Sequence, residues 1–217
     1  MPPIEPSGYY YPNMIVHYML EAMEEIMGKN GLNAILNLAG LSHLIDLIDN
    51  LIDNYPPTNL NKEFEFADFS ALCGALEEMY GPRGGRGLQL RAGRVGFARG
   101  GQKMGAMVGV GDLAFKVLPL NAKLKAGLPA MAMVFSQFSD QKSTVSDAGE
   151  YYRYTMKPCP VCWGRTADRP ICFAAKGLVE EALHWVSGGR KFRVEEVECT
   201  AMGDDACMLA IYKEPIG

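Results

Sequence analysis

Apolar residues recur with a helical period through the first half of this chain and with a two-residue period in parts of its last third. After Asn13, a favourable helix N-cap, Ile15 and Met19 are spaced by four residues and so share one face of a helix. Gly28 is expected to end that helix, because glycine readily adopts the left-handed backbone found after a helix. Two further apolar helical segments are predicted, at 35–38 and 44–51.

The middle of the chain is also predicted to be helical, although it is rich in glycine. One helix is expected from Phe66 to Tyr80, and the stretch 81–111 is interpreted as helices whose glycines permit close packing. Residues 103–139 should form further helices, broken where Gly127 ends one and Pro129 begins the next.

Strand patterns follow in the last third. Two β-rich runs, 142–145 and 151–156, flank the Asp147-Ala148-Gly149 turn and predict a hairpin. Two more runs, 191–199 and 206–213, would complete an antiparallel sheet of four or five strands. The pattern as a whole predicts an α+β fold, with an antiparallel sheet packed against helices.

Composition and charge exclude several classes of function. The chain has 217 residues, of which 48% are hydrophobic, and a formal net charge of −4. These values indicate a packed globular protein and argue against nucleic-acid binding. No apolar run reaches the length needed to span a bilayer, and the N-terminus lacks the pattern of a secretory signal. A cytoplasmic protein without a membrane span is therefore expected.

The cysteines are concentrated near the C-terminus. Five of the six occur in one stretch, namely Cys159, Cys162, Cys172, Cys199 and Cys207. Three interpretations are open: a metal site, disulfides or a redox pair, and unpartnered core thiols. Because disulfides persist only in oxidising compartments, the expected cytoplasmic location favours a metal.

Glu196 belongs to the same region. A two-residue period places Phe192, Val194 and Glu196 on one strand face, so the carboxylate should point inward with two core residues. A buried carboxylate is costly without a cation, although a solvated strand carboxylate is the ordinary alternative. Cys199 has the opposite parity, and the strand must therefore bend or bulge between Glu196 and Cys199 if both face the same site.

The segment Gly177–Tyr212 resembles the 4-vinyl reductase domain family. Cys172, Gly177, the strand that ends in Cys199, the turn Met202-Gly203-Asp204 and Cys207 carry the resemblance. This family also provides the aromatic-sensing module of phenol- and xylene-responsive activators, and it is related to transport-particle subunits. The resemblance implies an N-terminal arm and helical dimerisation portion at 1–60 and a ligand-binding domain at 61–217, with the signature at 150–213. Related folds pair through the N-terminal portion, so a homodimer is expected.

The resemblance also implies a structural zinc ion. In the sensor branch the ligands are a cysteine that opens a helix, a glutamate and two hairpin cysteines. By position these are Cys172, Glu196, Cys199 and Cys207, which would staple the C-terminal helix to the hairpin. The sensors lack Cys159 and Cys162. This pair is the second choice: it could replace Glu196 and another ligand, hold a second metal or act in redox chemistry.

A ligand pocket is expected beside this region. Met131, Phe135 and Phe138 form a helical stripe, which is ordinarily core but also suits an apolar pocket. The resemblance adds Phe97, from the family's glycine-containing helix, and the hairpin tyrosines Tyr151 and Tyr152. The predicted function is a zinc-containing binding protein for a small hydrophobic ligand, either an aromatic hydrocarbon or a tetrapyrrole, in a sensing or carrier role.

Two alternatives come from the same resemblance. The first is an enzyme or accessory factor for vinyl-group reduction in (bacterio)chlorophyll biosynthesis. The second is an adaptor or assembly protein. The sequence has no flavin or nicotinamide motif and no acid–base constellation, so the prediction leans against an enzyme.

Overall fold

The computed structural model describes residues 3–45, 56–106 and 113–216. The N-terminal elements are β1 (Tyr10–Pro12), α1 (Asn13–Leu38), β2 (Lys62–Glu65) and α2 (Phe66–Gly96). Helix α1 starts at Asn13, as predicted, and bends at Gly28, where φ is +72°. Helix α2 bends in the same way at Gly81, where φ is +70°. Each glycine ends one helical stretch and begins another, because its backbone adopts a left-handed conformation without steric cost.

The N-terminal arm is held by strand pairing that the sequence did not reveal. Strand β1 pairs antiparallel with β2, with Tyr10 opposite Glu65. On α1, Ile15, Val16 and Leu36 are buried within the chain, and α1 packs against α2. The excess of apolar surface that motivated the homodimer is therefore not found in the described part of α1. The predicted segment 44–51 lies outside the described residues beyond Ile45.

The central helices correct one prediction. A π-helical turn (Phe97–Gly101) leads into α3 (Gln102–Ala106), α4 (Leu113–Lys116) and α5 (Leu120–Phe138). The predicted break at Gly127 and Pro129 is wrong, because α5 runs through both residues. Gly127 serves close packing instead: a β-carbon added there would lie 2.7 Å from Cγ1 of Val186.

The predicted sheet is confirmed and has four strands. They are β3 (Lys142–Asp147), β4 (Tyr151–Lys157), β5 (Phe192–Glu198) and β6 (Cys207–Pro215). All neighbours are antiparallel, in the order β3-β4-β6-β5. The predicted hairpin turn is also found, with the backbone N–H of Gly149 donating to Oδ1 of Asp147 at 2.9 Å. Helix α6 (Phe173–Ser187) lies between β4 and β5 in the chain, so the fold is α+β.

Helices α2 and α6 cross with their backbones in contact. A β-carbon added at Gly93 would lie 2.1 Å from the carbonyl oxygen of Ala174. One added at Gly177 would lie 2.1 Å from the carbonyl oxygen of Leu90. The interpretation of these glycines as close-packing residues is confirmed. The crossing fixes the position of α6, which carries residues of both candidate sites. None of the helices in the described ranges is long and apolar enough to cross a bilayer.

Candidate metal centre and apolar cavity

Four structural elements bring the five C-terminal cysteines together. Cys159 and Cys162 lie in the turn after β4, and Cys172 is the N-cap residue of α6. Cys199 follows β5, and Cys207 is the first residue of β6. All five thiols are buried and none forms a disulfide. The sequence stretch that holds them is long, but in space they form one cluster.

The sulfur atoms lie at the spacing of metal ligands. The Sγ atom of Cys172 is 3.5 Å from that of Cys159, 3.5 Å from that of Cys207 and 3.8 Å from that of Cys199. Cys162 Sγ is 3.4 Å from Cys207 Sγ. A zinc ion with bonds of about 2.3 Å to sulfur places tetrahedral ligands about 3.8 Å apart. Four of these buried cysteines could therefore hold a metal ion.

Two sets of four residues meet the geometric requirement, with ligand atoms within 4.8 Å of one another in each set. The set proposed from the sequence is Cys172, Glu196, Cys199 and Cys207. The other set joins the second-choice pair to two of those residues and comprises Cys159, Cys162, Cys172 and Cys207.

Glu196 tests whether a cation fits. The predicted irregularity is confirmed, since the register between β5 and β6 shifts between Glu196 and Glu198. This turns the carboxylate toward the thiols, and its Oε2 accepts a hydrogen bond from the backbone N–H of Cys172 at 2.8 Å. Oε1 is buried and has no hydrogen-bond partner among the described residues. A buried, unpaired carboxylate oxygen next to thiols is well suited to bind a cation.

The cluster contains groups of opposite protonation preference. Burial, followed by the nearby Cys199, raises the pKa of Glu196 to about 9. Hydrogen bonding from neighbouring thiols, Cys159 foremost, lowers the pKa of Cys207 to about 5. Burial raises the pKa of Cys172 well above its usual value. Without a cation, this many acidic groups cannot all ionise together, whereas a metal would favour the anionic form of each ligand.

An apolar cavity lies between α3, α5 and α6. It encloses about 360 Å³ of empty space, which the side chains leave narrow. Its wall is made of apolar, aromatic and glycine residues: Phe97, Gly101, Met104, Gly105, Gly127, Met131, Val134, Phe135, Ala182, Trp185 and Val186. Glycine is required for part of this shape, because a β-carbon at Gly105 would lie 2.9 Å from the Trp185 ring.

Of the pocket residues expected from the sequence, three line this cavity and three do not. Phe97, Met131 and Phe135 are in its wall. Phe138 packs on the core, and the rings of Tyr151 and Tyr212 lie 5.7 Å apart elsewhere on the sheet. Tyr152 is buried, with the Lys213 ammonium 4.7 Å from its ring centroid.

Sequence reasoning missed Met104 and Trp185. Trp185 could have been found from its spacing, since it follows Ala182 by three residues and shares that face of α6. Helix α6 therefore joins the two sites. Cys172 caps its start, and the cavity residues lie on its last turns, about 20 Å away at 1.5 Å per residue.

The comparisons with known proteins agree with this picture. The family model of the 4-vinyl reductase domain matches residues 152–213. This stretch is a 4-vinyl reductase domain. The match spans β4, the cysteine turn, α6, β5 and most of β6, and so contains every ligand of the candidate metal centre. The resemblance stated from the sequence is confirmed.

Solved structures resemble the chain over most of its length. A single-substitution form of Tt H-NOX is 12% identical, with a TM-score of 0.54, and the match covers 95% of this chain and 97% of that one. The phenol-responsive sensory domain of the transcription activator PoxR, solved with phenol, is 19% identical at a TM-score of 0.45, covering 66% and 74%. A trafficking protein particle complex subunit 3 from Naegleria fowleri, covalently bound to palmitic acid, is 13% identical at 0.38, covering 83% and 95%. None of the curated proteins matches the chain. At these identities the similarity to Tt H-NOX extends to the fold alone.

Proposed function

We propose that this protein binds a small hydrophobic ligand in the cavity between α3, α5 and α6, in a sensing or carrier role. The observation that carries the proposal is the composition of the cavity wall, whose described residues are apolar, aromatic or glycine, without a charged side chain among them. Such a wall favours an apolar guest, and methionine side chains adapt to its shape. The 4-vinyl reductase domain at 152–213 is consistent with this role.

The size of the cavity favours one class of ligand. Its 360 Å³ lies near the lower end of the range for small-molecule sites, which is roughly 300–1,000 Å³. A ligand with one or two aromatic rings suits this volume better than a tetrapyrrole does. Because the side chains leave the space narrow, Met104 and Met131 should change rotamer when the ligand enters.

The proposal includes a structural zinc ion at the other end of α6. Cys172, Glu196, Cys199 and Cys207 would supply three thiolates and one carboxylate, the ligand number of a closed tetrahedral site. Bound zinc would join α6 to β5 and β6 and would hold the helix that forms one wall of the cavity. With no open coordination position, the metal would stabilise the fold and not activate water.

A pair of substitutions on α5 tests ligand binding. Met131 lines the cavity and is 8% exposed, whereas Met133 is 52% exposed on the same helix. Met131→Trp should fill the cavity and weaken the binding of naphthol, followed by its own fluorescence, at least about tenfold, or 1.4 kcal/mol. Met133→Trp adds the same side chain outside the cavity and should bind naphthol like the wild type.

Two outcomes would contradict the binding proposal. If Met131→Trp and Met133→Trp bind naphthol equally well, the ligand site is elsewhere. If the purified protein reduces a vinyl-tetrapyrrole in the presence of a reductant, the enzymatic alternative replaces the binding role. Zinc content and melting temperature should stay near the wild-type values in both variants, because the two sites lie at opposite ends of α6.

Homodimer formation also remains a prediction. The described apolar residues of α1 are buried within the chain, so the contact would have to use other surfaces. Exposed apolar side chains are available at Val117 and Met133. A twofold dimer is the commonest closed assembly and is the expected state. Light scattering at micromolar concentration should give twice the mass of the chain, and a monomeric mass would reject the dimer.

A further inference from the structure

The two candidate ligand sets share two of their members. Cys172 and Cys207 belong to both sets, so the two sets together contain six residues, five cysteines and Glu196. One tetrahedral ion takes four ligands and would leave two of the six without a role. A zinc ion in the set with Glu196 leaves Cys159 and Cys162, both at most 2% exposed, as buried thiols.

The opposite choice leaves a different defect. An ion in the four-cysteine set would use Cys159 and Cys162 but would not reach the carboxylate of Glu196. Oε1 of that residue would then stay buried without a partner among the described residues, at a cost of one to several kcal/mol. Each single-ion arrangement explains half of the cluster, and neither explains both the paired thiols and the orphan oxygen.

The sulfur positions suit two tetrahedra that share an edge. The shared edge is the 3.5 Å separation between Cys172 Sγ and Cys207 Sγ. On one side, Cys159 lies 3.5 Å from Cys172, and Cys162 lies 3.4 Å from Cys207. On the other side, Cys199 lies 3.8 Å from Cys172. All these separations are near the edge of about 3.8 Å expected of zinc thiolates.

We propose that Cys172 and Cys207 bridge two zinc ions, one completed by Cys159 and Cys162 and the other by Glu196 and Cys199. The second ion extends the zinc site of the proposed function, on which this inference rests. Each ion has four ligands, and all six side chains are used. The cluster would then tie the turn after β4 to α6, β5 and β6 at one point.

The surroundings suit bridging thiolates. Cys172 caps the 15-residue helix α6, whose N-terminal dipole favours an anion. The backbone N–H of Thr200 donates to Cys207 Sγ at 3.4 Å. The Thr200 hydroxyl lies 3.0 Å from Cys162 Sγ and 3.5 Å from Cys207 Sγ. These contacts would offset part of the negative charge that five thiolates and one carboxylate retain after two divalent ions bind.

The close approach of the sulfur atoms distinguishes single ions from an iron–sulfur cluster. An iron–sulfur cluster places inorganic sulfide as well as iron between its cysteines and so holds their sulfur atoms farther apart. Here four pairs of cysteine sulfur atoms are within 3.8 Å of each other. Individual tetrahedral ions fit that spacing. Iron and acid-labile sulfide in the purified protein, at stoichiometric amounts, would overturn the zinc cluster.

Zinc stoichiometry is the first test and uses the full chain. Wild-type protein prepared with excess zinc and then desalted should hold two zinc ions per chain by elemental analysis. The double variant Cys159→Ser with Cys162→Ser should hold one. Cys73→Ser, which alters the cysteine outside the cluster, should keep two. Native mass spectrometry would read the same counts on folded protein.

The outcomes separate this inference from the single zinc of the proposed function. One zinc in the wild type, retained in the Cys159/Cys162 double variant, overturns the two-ion cluster and leaves the single zinc intact. One zinc that this variant loses overturns both ligand assignments and moves the metal to the four-cysteine set. No zinc in any form of the protein overturns both proposals.

Cobalt substitution tests the bridge without any variant. Two Co²⁺ ions joined by thiolates are magnetically coupled, so the electron paramagnetic resonance signal should stay low or fall as the second equivalent binds. The thiolate charge-transfer absorption should meanwhile rise until two equivalents are present. A resonance signal that grows in proportion to cobalt up to two equivalents means separate ions and overturns the bridge. Saturation at one equivalent overturns the second ion.

Discussion

The two ends of α6 are held by different kinds of interaction. At its N-terminal end, Cys172 is surrounded by buried thiols and by Glu196, each with a defined neighbour within about bonding distance of a common metal. At its C-terminal end, Ala182, Trp185 and Val186 face a cavity whose other walls are apolar. The first end requires particular atoms, whereas the second requires only volume and an apolar surface.

This difference indicates how each end should respond to change. Metal coordination depends on ligand identity, and a ligand that differs by one atom alters the site. Apolar packing tolerates exchange among side chains of similar volume. The helix between the two ends is rigidly placed, because Gly93 and Gly177 let the backbones of α2 and α6 touch. A fixed metal end and an adaptable cavity end therefore share one helix.

The largest effect is expected from Cys172→Ser. This change removes a ligand common to both candidate sets, and structural zinc typically contributes about 10–16 kcal/mol of apparent binding free energy. Only part of that energy stabilises the fold, so a loss of more than about 4 kcal/mol is expected, together with loss of zinc. Cys73→Ser is the control. Cys73 is buried away from the cluster, with a pKa raised to about 12 mainly by burial, and its variant should retain its zinc.

Elemental analysis and thermal unfolding would measure both variants. A fall of more than about 10 °C in melting temperature corresponds to the expected loss for a chain of this size. If Cys172→Ser keeps its metal and its melting temperature, the cysteines are core thiols and the contrast between the two ends of α6 is lost.

The metal end was largely readable from the sequence because its chemistry is specific. Thiols are rare and chemically distinct, so the concentration of cysteines predicts a site before any contact is known. The parity conflict between Glu196 and Cys199 predicted the irregularity that the pairing of β5 with β6 shows. The sequence could not show that Cys172 and Cys207 belong to two sets, since spacing along the chain does not say which thiols meet.

The cavity end was less readable because apolar side chains are interchangeable. Met131 and Phe135 were found from a helical stripe, but the same pattern included Phe138, which lies outside the cavity wall. Tyr151 and Tyr152 were assigned through resemblance, and their strand presents them elsewhere. The pairing of β1 with β2 was missed because about fifty residues of chain separate the two strands, and no local pattern records such a contact.

An intermediate effect is expected at the crossing that joins the two ends. Gly177→Ala places a β-carbon 2.1 Å from the carbonyl oxygen of Leu90, a backbone atom that no rotamer change can move. The helices must separate, at a cost of about 1–3 kcal/mol. Gly87→Ala is the control on α2, since nothing lies within 4 Å of its added β-carbon. That change should stabilise the helix by about 0.5–1 kcal/mol.

Urea unfolding would give both free energies, and zinc content and naphthol affinity would show how far the strain spreads. Gly177→Ala should weaken naphthol binding while zinc is retained, because coordination bonds resist a small shift better than an apolar wall does. Equal stability of the two alanine variants would mean that the α2–α6 crossing does not have its backbones in contact.

The smallest effect is expected from a volume-conserving change in the cavity wall. Met104 is 1% exposed and lines the cavity, and Met104→Leu keeps the side chain apolar and close to the original volume. The cost should be below about 1.5 kcal/mol, and naphthol affinity should change by less than about tenfold. Cys207→Ser changes one atom at the other end of α6 and is the matched comparison. It should release zinc and destabilise the protein far more than Met104→Leu does, because oxygen cannot replace a shared thiolate. If the methionine variant proves the more damaging of the two, the cavity is the specific element of this protein and the thiol cluster the tolerant one.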